Sequence, residues 1–145
     1  PIKQGFAITG SVNQKGQIQA IGGVNEKIEG FFDICKQRGL RGRPGVLIPK
    51  ANVQHLMLRA DVVAAIRKGS FRIYPIDRIE EGVALMMGAP AGVLGPDGEF
   101  PSGSVYRLVS LRLDSFAASM LRMAPPAPGS VGAGDRDDSG KGATS

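Results

Sequence analysis

The chain has 145 residues and a formal net charge of +5, with 42% hydrophobic and 21% charged residues. This length fits one domain with a hydrophobic core and an appended segment, and no run reaches the 18 or so apolar residues of a membrane span. No signal peptide is recognisable, although Pro1 is not expected to be the native start. The single cysteine, Cys35, excludes an internal disulfide and indicates a reducing cytoplasm. With His55 as the only histidine, no metal site is expected.

The N-terminal part of the chain predicts a β-hairpin that leads into a helix. Residues 6–9 form the first predicted strand, residues 13–16 have turn-forming side chains, and residues 17–21 alternate polar and apolar residues as the return strand. The hairpin ends at a Gly22-Gly23 pair, directly before the helix.

The helix after Gly23 is predicted from apolar residues at i, i+3, i+4 and i+7. These residues are Ile28, Phe31, Phe32 and Cys35. Asn25 is the expected N-cap, and the helix is expected to end near Arg38 because Gly39 favours termination. Cys35 lies on the apolar stripe and is predicted to pack in the core and not to react.

Lys27 lies at the N-terminal end of this helix, where a positive charge is disfavoured by roughly half a unit of like charge from the helix dipole. Burial against the Gly22-Gly23 backbone would also favour the neutral amine, which a general base requires near neutral pH. The alternative is a solvated lysine bonded to Glu26 or Glu29. Position and charge alone favour this alternative.

The remaining elements of the core alternate between strands and helices. They are a strand at 46–48 covered on both faces, helices at 52–58 and 61–68 (the second capped by Asp61), a strand at 71–76, and a helix capped by Asp77 that ends at Gly88. Strands joined through helices pair in parallel, so this order predicts an α/β fold with a mixed sheet.

Composition divides the chain into four parts. Residues 1–88 form the predicted domain, and residues 89–103 are rich in Gly and Pro and are predicted to be a linker. Residues 104–123 form a predicted C-terminal helix, although the alternation of Val109, Leu111 and Leu113 leaves a strand possible. Residues 124–145 are predicted to be disordered, because their composition cannot bury enough apolar surface to offset the entropy of ordering.

Several segments of residues 1–88 resemble the peptidase domain of Lon proteases, in particular a Lon-like branch that shares the run from Gly22 to Cys35. The segments are Thr9-Gly10, Gly22-Gly23-Val24-Asn25-Glu26-Lys27, Val46-Leu47-Ile48-Pro49 and Tyr74-Pro75-Ile76-Asp77-Arg78-Ile79-Glu80-Glu81. The resemblance implies a Lon-type peptidase fold of mixed α/β class, similar to the second domain of ribosomal protein S5 and truncated here at its N-terminus.

The same resemblance implies a serine endopeptidase that cleaves with a Ser–Lys dyad. Lys27 matches the dyad lysine, and Gly22 and Gly23 form the supporting loop before it. Thr9 matches a threonine beside the dyad that helps to hold the lysine, with an ordinary strand residue as the alternative. The family's serine lies upstream on a Gly-x-Ser segment, which these 145 residues lack. The chain is therefore expected to be inactive alone.

Partners and cofactors follow from the resemblance as well. It implies unfolded or damaged proteins as substrates, a homo-oligomer in the form of a hexameric ring, and a cytoplasmic location. No Gly-x-x-x-x-Gly-Lys-Ser/Thr phosphate-binding loop occurs in the chain. No cofactor is therefore expected here, and ATP with Mg²⁺ would belong to an ATPase module of the parent protein.

Two other functions remain open from the sequence. One is a catalytically dead remnant that serves as an assembly or binding module. The other is nucleic-acid binding, because residues 1–88 hold thirteen Lys and Arg against seven Asp and Glu. The basic cluster of Arg38, Arg41 and Arg43 lacks interleaved aromatic residues for base stacking, which favours a solvated loop.

Overall fold

The computed structural model describes residues 1–123, so the predicted disorder of residues 124–145 lies outside the described part. Within residues 1–123, five strands, a 3₁₀ helix and four α-helices follow one another. They are β1 (Phe6–Ile8), β2 (Ser11–Val12), β3 (Ile18–Gln19), α1 (Val24–Gln37), β4 (Gly45–Pro49), the 3₁₀ helix (Lys50–His55), α2 (Ala60–Arg67), β5 (Arg72–Ile76), α3 (Ile79–Met87) and α4 (Val105–Met123).

A parallel sheet with the order β1-β4-β5 forms the centre of the fold. Every residue of β4 is buried, which confirms the strand predicted at 46–48. A run of apolar side chains can occupy this position because both faces of the strand are covered and both of its edges are paired. The antiparallel pair β2-β3 completes the architecture, so the predicted α/β class with a mixed parallel and antiparallel pattern is confirmed.

The turn and both strands predicted for the hairpin are present, but the prediction that these two strands pair with each other was wrong. β3 pairs with Ser11–Val12, whereas Phe6–Ile8 pairs in parallel with β4. The turn is held by Asn13 Oδ1, which accepts hydrogen bonds from the N–H groups of Lys15 (2.9 Å) and Gln17 (3.0 Å). Alternation along a strand shows which residues share a face, but it does not identify the partner strand, because pairing depends on the tertiary structure.

Helix α1 buries the predicted apolar stripe against the sheet and α2. Ile28 and Phe32 are buried, and the Phe32 ring meets the Phe71 ring edge-to-face with centroids 5.2 Å apart. Cys35 is also buried, as predicted for a core residue. Burial raises the pKa of the Cys35 thiol, which suppresses the thiolate form that reacts.

The three predicted caps were wrong. The cap positions are occupied by Gly23 for α1, Arg59 for α2 and Arg78 for α3, and none of these helices has a side-chain cap hydrogen bond. Two of the predicted cap side chains bind elsewhere, because tertiary partners compete with local capping. Asn25 bonds to the segment after the 3₁₀ helix, and Asp77 to Lys50. Asp61 stays at the start of α2, where it binds Arg59 and the N–H of Val62. The helix predicted at 52–58 is the 3₁₀ helix, which starts two residues earlier.

The chain between α3 and α4 folds back onto the start of α4. The N–H groups of Val105 and Tyr106 donate to the carbonyls of Pro90 and Ala91, each at 2.9 Å. Val105–Met123 takes the helical alternative of the two considered for this region. No residue of α4 is buried, and large apolar side chains such as Phe116 are exposed on it. No helix within residues 1–123 combines the length and apolar character needed to cross a bilayer.

Any side chain at Gly45, at the start of β4, is expected to destabilise the fold. A Cβ atom at this position would lie 2.6 Å from the Tyr74 ring and 2.8 Å from the backbone oxygen of Arg72. We expect Gly45→Ala to lower the free energy of unfolding by about 1–3 kcal/mol, the usual cost of overpacking a core. Urea denaturation measures this change.

Gly30→Ala provides the matched control, since a Cβ at Gly30 would meet no atom within 4 Å. Because Gly30 lies in the interior of α1, alanine should stabilise the protein there by about 0.5–1 kcal/mol. Equal effects of the two substitutions would contradict the packing argument.

Candidate active site

The candidate site is built around the first turn of α1. The backbone of Gly23 is in the left-handed region, with φ 65° and ψ 29°, and α1 begins at the next residue. A side chain would be strained in this conformation, so Gly23 has a backbone reason to be glycine. A Cβ at Gly22 would meet nothing within 4 Å, so the same reasoning does not apply to Gly22.

Lys27 lies one turn into α1, at the N-terminal end that the sequence predicted. Its side chain is exposed, so Lys27 is not buried against the Gly22-Gly23 backbone. The Lys27 amine donates to the carbonyl oxygen of Gly22 at 3.4 Å, which is long for a hydrogen bond. Within residues 1–123 it pairs with neither Glu26 nor Glu29, the partners of the alternative interpretation. The amine is thus held weakly and from one side.

The loop before Lys27 is held by Asn52 of the 3₁₀ helix. Asn52 Oδ1 accepts from the N–H of Ile21 and Asn52 Nδ2 donates to the carbonyl of Ile21, both at 3.0 Å. Sequence reasoning missed this residue and treated it only as part of a helical pattern. The sequence did contain a signal for this role. Asn52 follows a buried apolar strand by three residues, and a buried amide side chain must find hydrogen-bond partners.

A polar row on α1 fastens the segment that follows the 3₁₀ helix. Its residues, Asn25, Glu29 and Asp33, are spaced by four and therefore lie on one face of the helix. Asn25 Oδ1 accepts from the N–H of Met57 at 2.9 Å, and Glu29 Oε1 accepts from the N–H of Arg59 at 2.8 Å. The Arg59 guanidinium donates two hydrogen bonds to Asp33, at 2.6 and 3.0 Å. Chain segments about thirty residues apart are joined along this row.

Thr9 follows the last residue of β1 and is half-buried, and its N–H donates to the carbonyl of Leu47 at 3.0 Å. It lines a groove of about 320 Å³ between the parallel sheet and the hairpin. The other lining residues are Ile8, Gly10, Ser11, Val12, Ile18, Ile76 and Ile79. Lys27 is not part of this lining, and within residues 1–123 no hydrogen bond joins Thr9 to Lys27. The structure therefore does not bring the two predicted residues together in this groove.

Several serine hydroxyls of the described region are hydrogen bonded, and none of them to Lys27. The hydroxyl of Ser11 donates to Gln19, that of Ser70 to the carbonyl of Ala65, and that of Ser104 to the carbonyl of Pro101. Residues 1–123 therefore place Lys27 at the start of α1 and hold no serine hydrogen bonded to it.

Comparison with known proteins identifies the family. Residues 1–88 match the family model of the Lon protease (S16) C-terminal proteolytic domain. Because this match covers more than half of the chain, the chain belongs to the Lon protease family.

Three relatives show how much of a complete protein this chain spans. The chain is 51% identical over 87 residues to a Lon protease homolog of Escherichia coli K12, covering 60% of this chain and 15% of that protein. It is 42% identical over 119 residues to a Lon protease homolog of Haemophilus influenzae, covering 82% of this chain and 20% of the relative. The archaeal Lon protease of Archaeoglobus fulgidus is 36% identical over 81 residues, which are 56% of this chain and 11% of that protein.

The pairing along α1 should give the protein a dependence on acid pH. The hydrogen-bonded Arg59 guanidinium holds the pKa of Asp33 below its ordinary value of 3.8, and it does the same for Asp61. Because the pKa values are lowered in the folded state, these carboxylates stabilise the fold above about pH 4, and the contribution is lost as the pH falls through the lowered pKa values. Asp33→Asn should therefore lower the melting temperature near neutral pH, and this difference should shrink as the pH falls below about 4.

Thermal melts of the wild type and Asp33→Asn, taken across this pH range at low salt, measure the effect. The groups are exposed, so added salt should narrow the difference between the two proteins. A difference that stays constant from neutral to acid pH would contradict the assignment.

Proposed function

We propose that the polypeptide containing this chain is a serine endopeptidase in which Lys27 is the general base of a Ser–Lys dyad. The observation that carries this proposal is the position of Lys27 within the family's matched region. Lys27 is exposed in the N-terminal turn of α1, next to a glycine loop. Its amine makes a single long hydrogen bond, at 3.4 Å, to the carbonyl of Gly22. An amine held this way can turn towards a nucleophile without breaking an ion pair.

The chemistry assigned to Lys27 is a proton transfer in two directions. The neutral amine removes the proton from a serine hydroxyl while the serine oxygen attacks the peptide carbonyl. The resulting ammonium then gives a proton to the leaving amine, as the histidine of a triad does, and an acyl-enzyme remains. Water hydrolyses this ester with the same lysine acting as base. The carbonyl of Gly22 accepts a hydrogen bond from the amine in its charged form.

The serine in this proposal comes from sequence that precedes residue 9 in the parent polypeptide. Since the chain spans 15% of one relative and 20% of another, the activity belongs to a longer protein. The proposal extends to unfolded or damaged polypeptides as substrates, a hexameric ring, a cytoplasmic location, and ATP with Mg²⁺ used by a separate ATPase module. Family membership supports these features.

Lys27→Ala should abolish peptide cleavage by the polypeptide extended upstream to include its Gly-x-Ser segment. Lys27→Arg should fail as well, because a guanidinium stays protonated and cannot accept the serine proton. Hydrolysis of a fluorogenic peptide measures both, with circular dichroism as the test of folding.

Lys36→Ala is the control on the same helix, because Lys36 is an exposed lysine in the last turn of α1. It should retain nearly full activity. Cleavage that survives in Lys27→Ala would exclude the dyad assignment. Absence of cleavage in the wild-type extended polypeptide would favour the alternative of a non-catalytic assembly module.

Thr9 offers a second test of the same proposal. If its hydroxyl helps to orient the dyad, Thr9→Ser should keep most of the activity, whereas Thr9→Val should reduce kcat although it preserves the β-branched shape. The ratio of kcat between the two variants is the measured quantity. Equal kcat values would show that Thr9 acts only as a strand residue.

A further inference from the structure

Asn52 is a buried polar residue whose hydrogen bonds all go to one distant residue. It is 5% exposed, and its amide meets both backbone groups of Ile21, which precedes it by 31 positions. The two distances of 3.0 Å are within the ordinary range for such bonds. The side chain therefore pairs with Ile21 as a neighbouring strand would, and it satisfies backbone groups that have no strand partner.

The hydrogen bonds to Ile21 fix the chain immediately before the candidate base. Gly22 follows Ile21 and provides the carbonyl that accepts from the Lys27 amine. Gly23 is the residue before α1, and its carbonyl accepts from the backbone N–H of Lys27 at 3.2 Å. Both the backbone and the amine of Lys27 are thus hydrogen bonded to the glycine loop that follows Ile21.

These residues have few other contacts that could position them. Both glycines are exposed. A Cβ at Gly22 would meet no atom, and one at Gly23 would meet only the carboxylate of Glu26 at 3.6 Å. Glycines also have the widest backbone freedom of any residue. The loop would be mobile without Asn52.

Asn52 is itself held on a rigid part of the fold. It lies three residues after β4, whose five residues are all buried and pair with β5, and whose first three also pair with β1. The end of the 3₁₀ helix is tied to α1 by Asn25, which donates to the carbonyl of His55 at 3.3 Å and accepts from the N–H of Met57. Asn52 therefore links the glycine loop to the buried central strand β4.

We propose that Asn52 is a positioning residue for Lys27. This inference rests on the proposed function, because it assigns to Asn52 the placement of the general base. Asn52 takes no part in the proton transfer. Its role is to keep the carbonyl of Gly22 and the first turn of α1 at a constant distance from the nucleophile, since a displacement of about 1 Å can cost about a hundredfold in rate.

Two substitutions test this role in the extended polypeptide that carries the serine segment. Asn52→Ala removes both hydrogen bonds and leaves the backbone groups of Ile21 without partners. Asn52→Asp keeps the shape and the acceptor, but it loses the donor and places a carboxylate against the Ile21 carbonyl. The aspartate variant keeps the test valid if the alanine variant does not fold.

Asn13→Ala is the matched control. Asn13 also binds two backbone N–H groups, at 2.9 and 3.0 Å, but these belong to the β2-β3 turn and not to the loop of Lys27. It should therefore report the cost of losing such bonds without affecting the base.

The measurements are kcat and KM at a temperature where every variant is folded, together with hydrogen–deuterium exchange of the peptide that contains Ile21 to Val24. We expect kcat to fall about ten- to hundredfold in both Asn52 variants while KM changes less than about twofold. Exchange in the loop should become faster. Asn13→Ala should keep the wild-type kcat and the wild-type exchange of this peptide.

Wild-type kcat in folded Asn52→Ala or Asn52→Asp would overturn the inference, as would unchanged exchange in the loop. An equal loss of kcat in Asn13→Ala would also overturn it, by showing a general effect of stability. Activity that persists in Lys27→Ala would exclude the dyad and with it the positioning role. Loss of activity in Lys27→Ala with full activity in the Asn52 variants would exclude the positioning role alone.

Discussion

The pairing of β4 on both of its edges is the constraint on which the rest of the structure depends. β1 and β5 run parallel to it, and α1 and α2 contribute side chains to the core that covers it. This strand can be wholly buried because its backbone groups are satisfied by two neighbours and its side chains are apolar. The close approach of Tyr74 leaves no room for a side chain at Gly45, so the start of the strand is defined by sterics. The 3₁₀ helix begins directly after β4, so the strand fixes where this helix starts.

Helix α1 connects the core to the candidate site because its faces have different partners. One face packs Ile28 and Phe32 against the sheet and α2, which orients the helix through apolar burial. A second face binds residues 55–59 through Asn25, Glu29 and Asp33, and this sets the rotation of the helix relative to the 3₁₀ segment. Lys27 lies on neither face and is exposed. The helix is thus held along its length, while the lysine in its first turn is exposed.

The match to the Lon family and the candidate site cover the same part of the chain. The family match covers residues 1–88, where β1, the glycine loop, α1 and β4 are found. The similarity to the Haemophilus influenzae relative extends over 119 residues and so reaches beyond residue 88. Within the described residues, the site has the lysine, its loop and the asparagine that holds the loop. The nucleophile of the proposed dyad belongs to the longer polypeptide, so the site is complete only when that polypeptide is considered.

Much of this organisation could be predicted from the sequence, because local patterns determine it. The apolar run at 46–48 identified the buried strand, the spacing of Ile28, Phe32 and Cys35 identified the core face of α1, and the motif around Lys27 identified the family. Three features depended on the tertiary structure. These were the parallel pairing of β1 with β4, the binding of Asn25 and Asp77 away from their helix ends, and the two hydrogen bonds between Asn52 and Ile21.

The physical reason for this difference is the range of the interactions. Hydrophobic periodicity and glycine conformation act over a few residues, so they can be recognised along the chain. The partner of a strand edge or of a polar side chain is set by which segments are adjacent after folding, and Asn52 and Ile21 are 31 residues apart. The sequence by itself therefore determined the family, the class of fold and the candidate base. Only the tertiary structure showed that Asn52 is hydrogen bonded to the loop before this lysine.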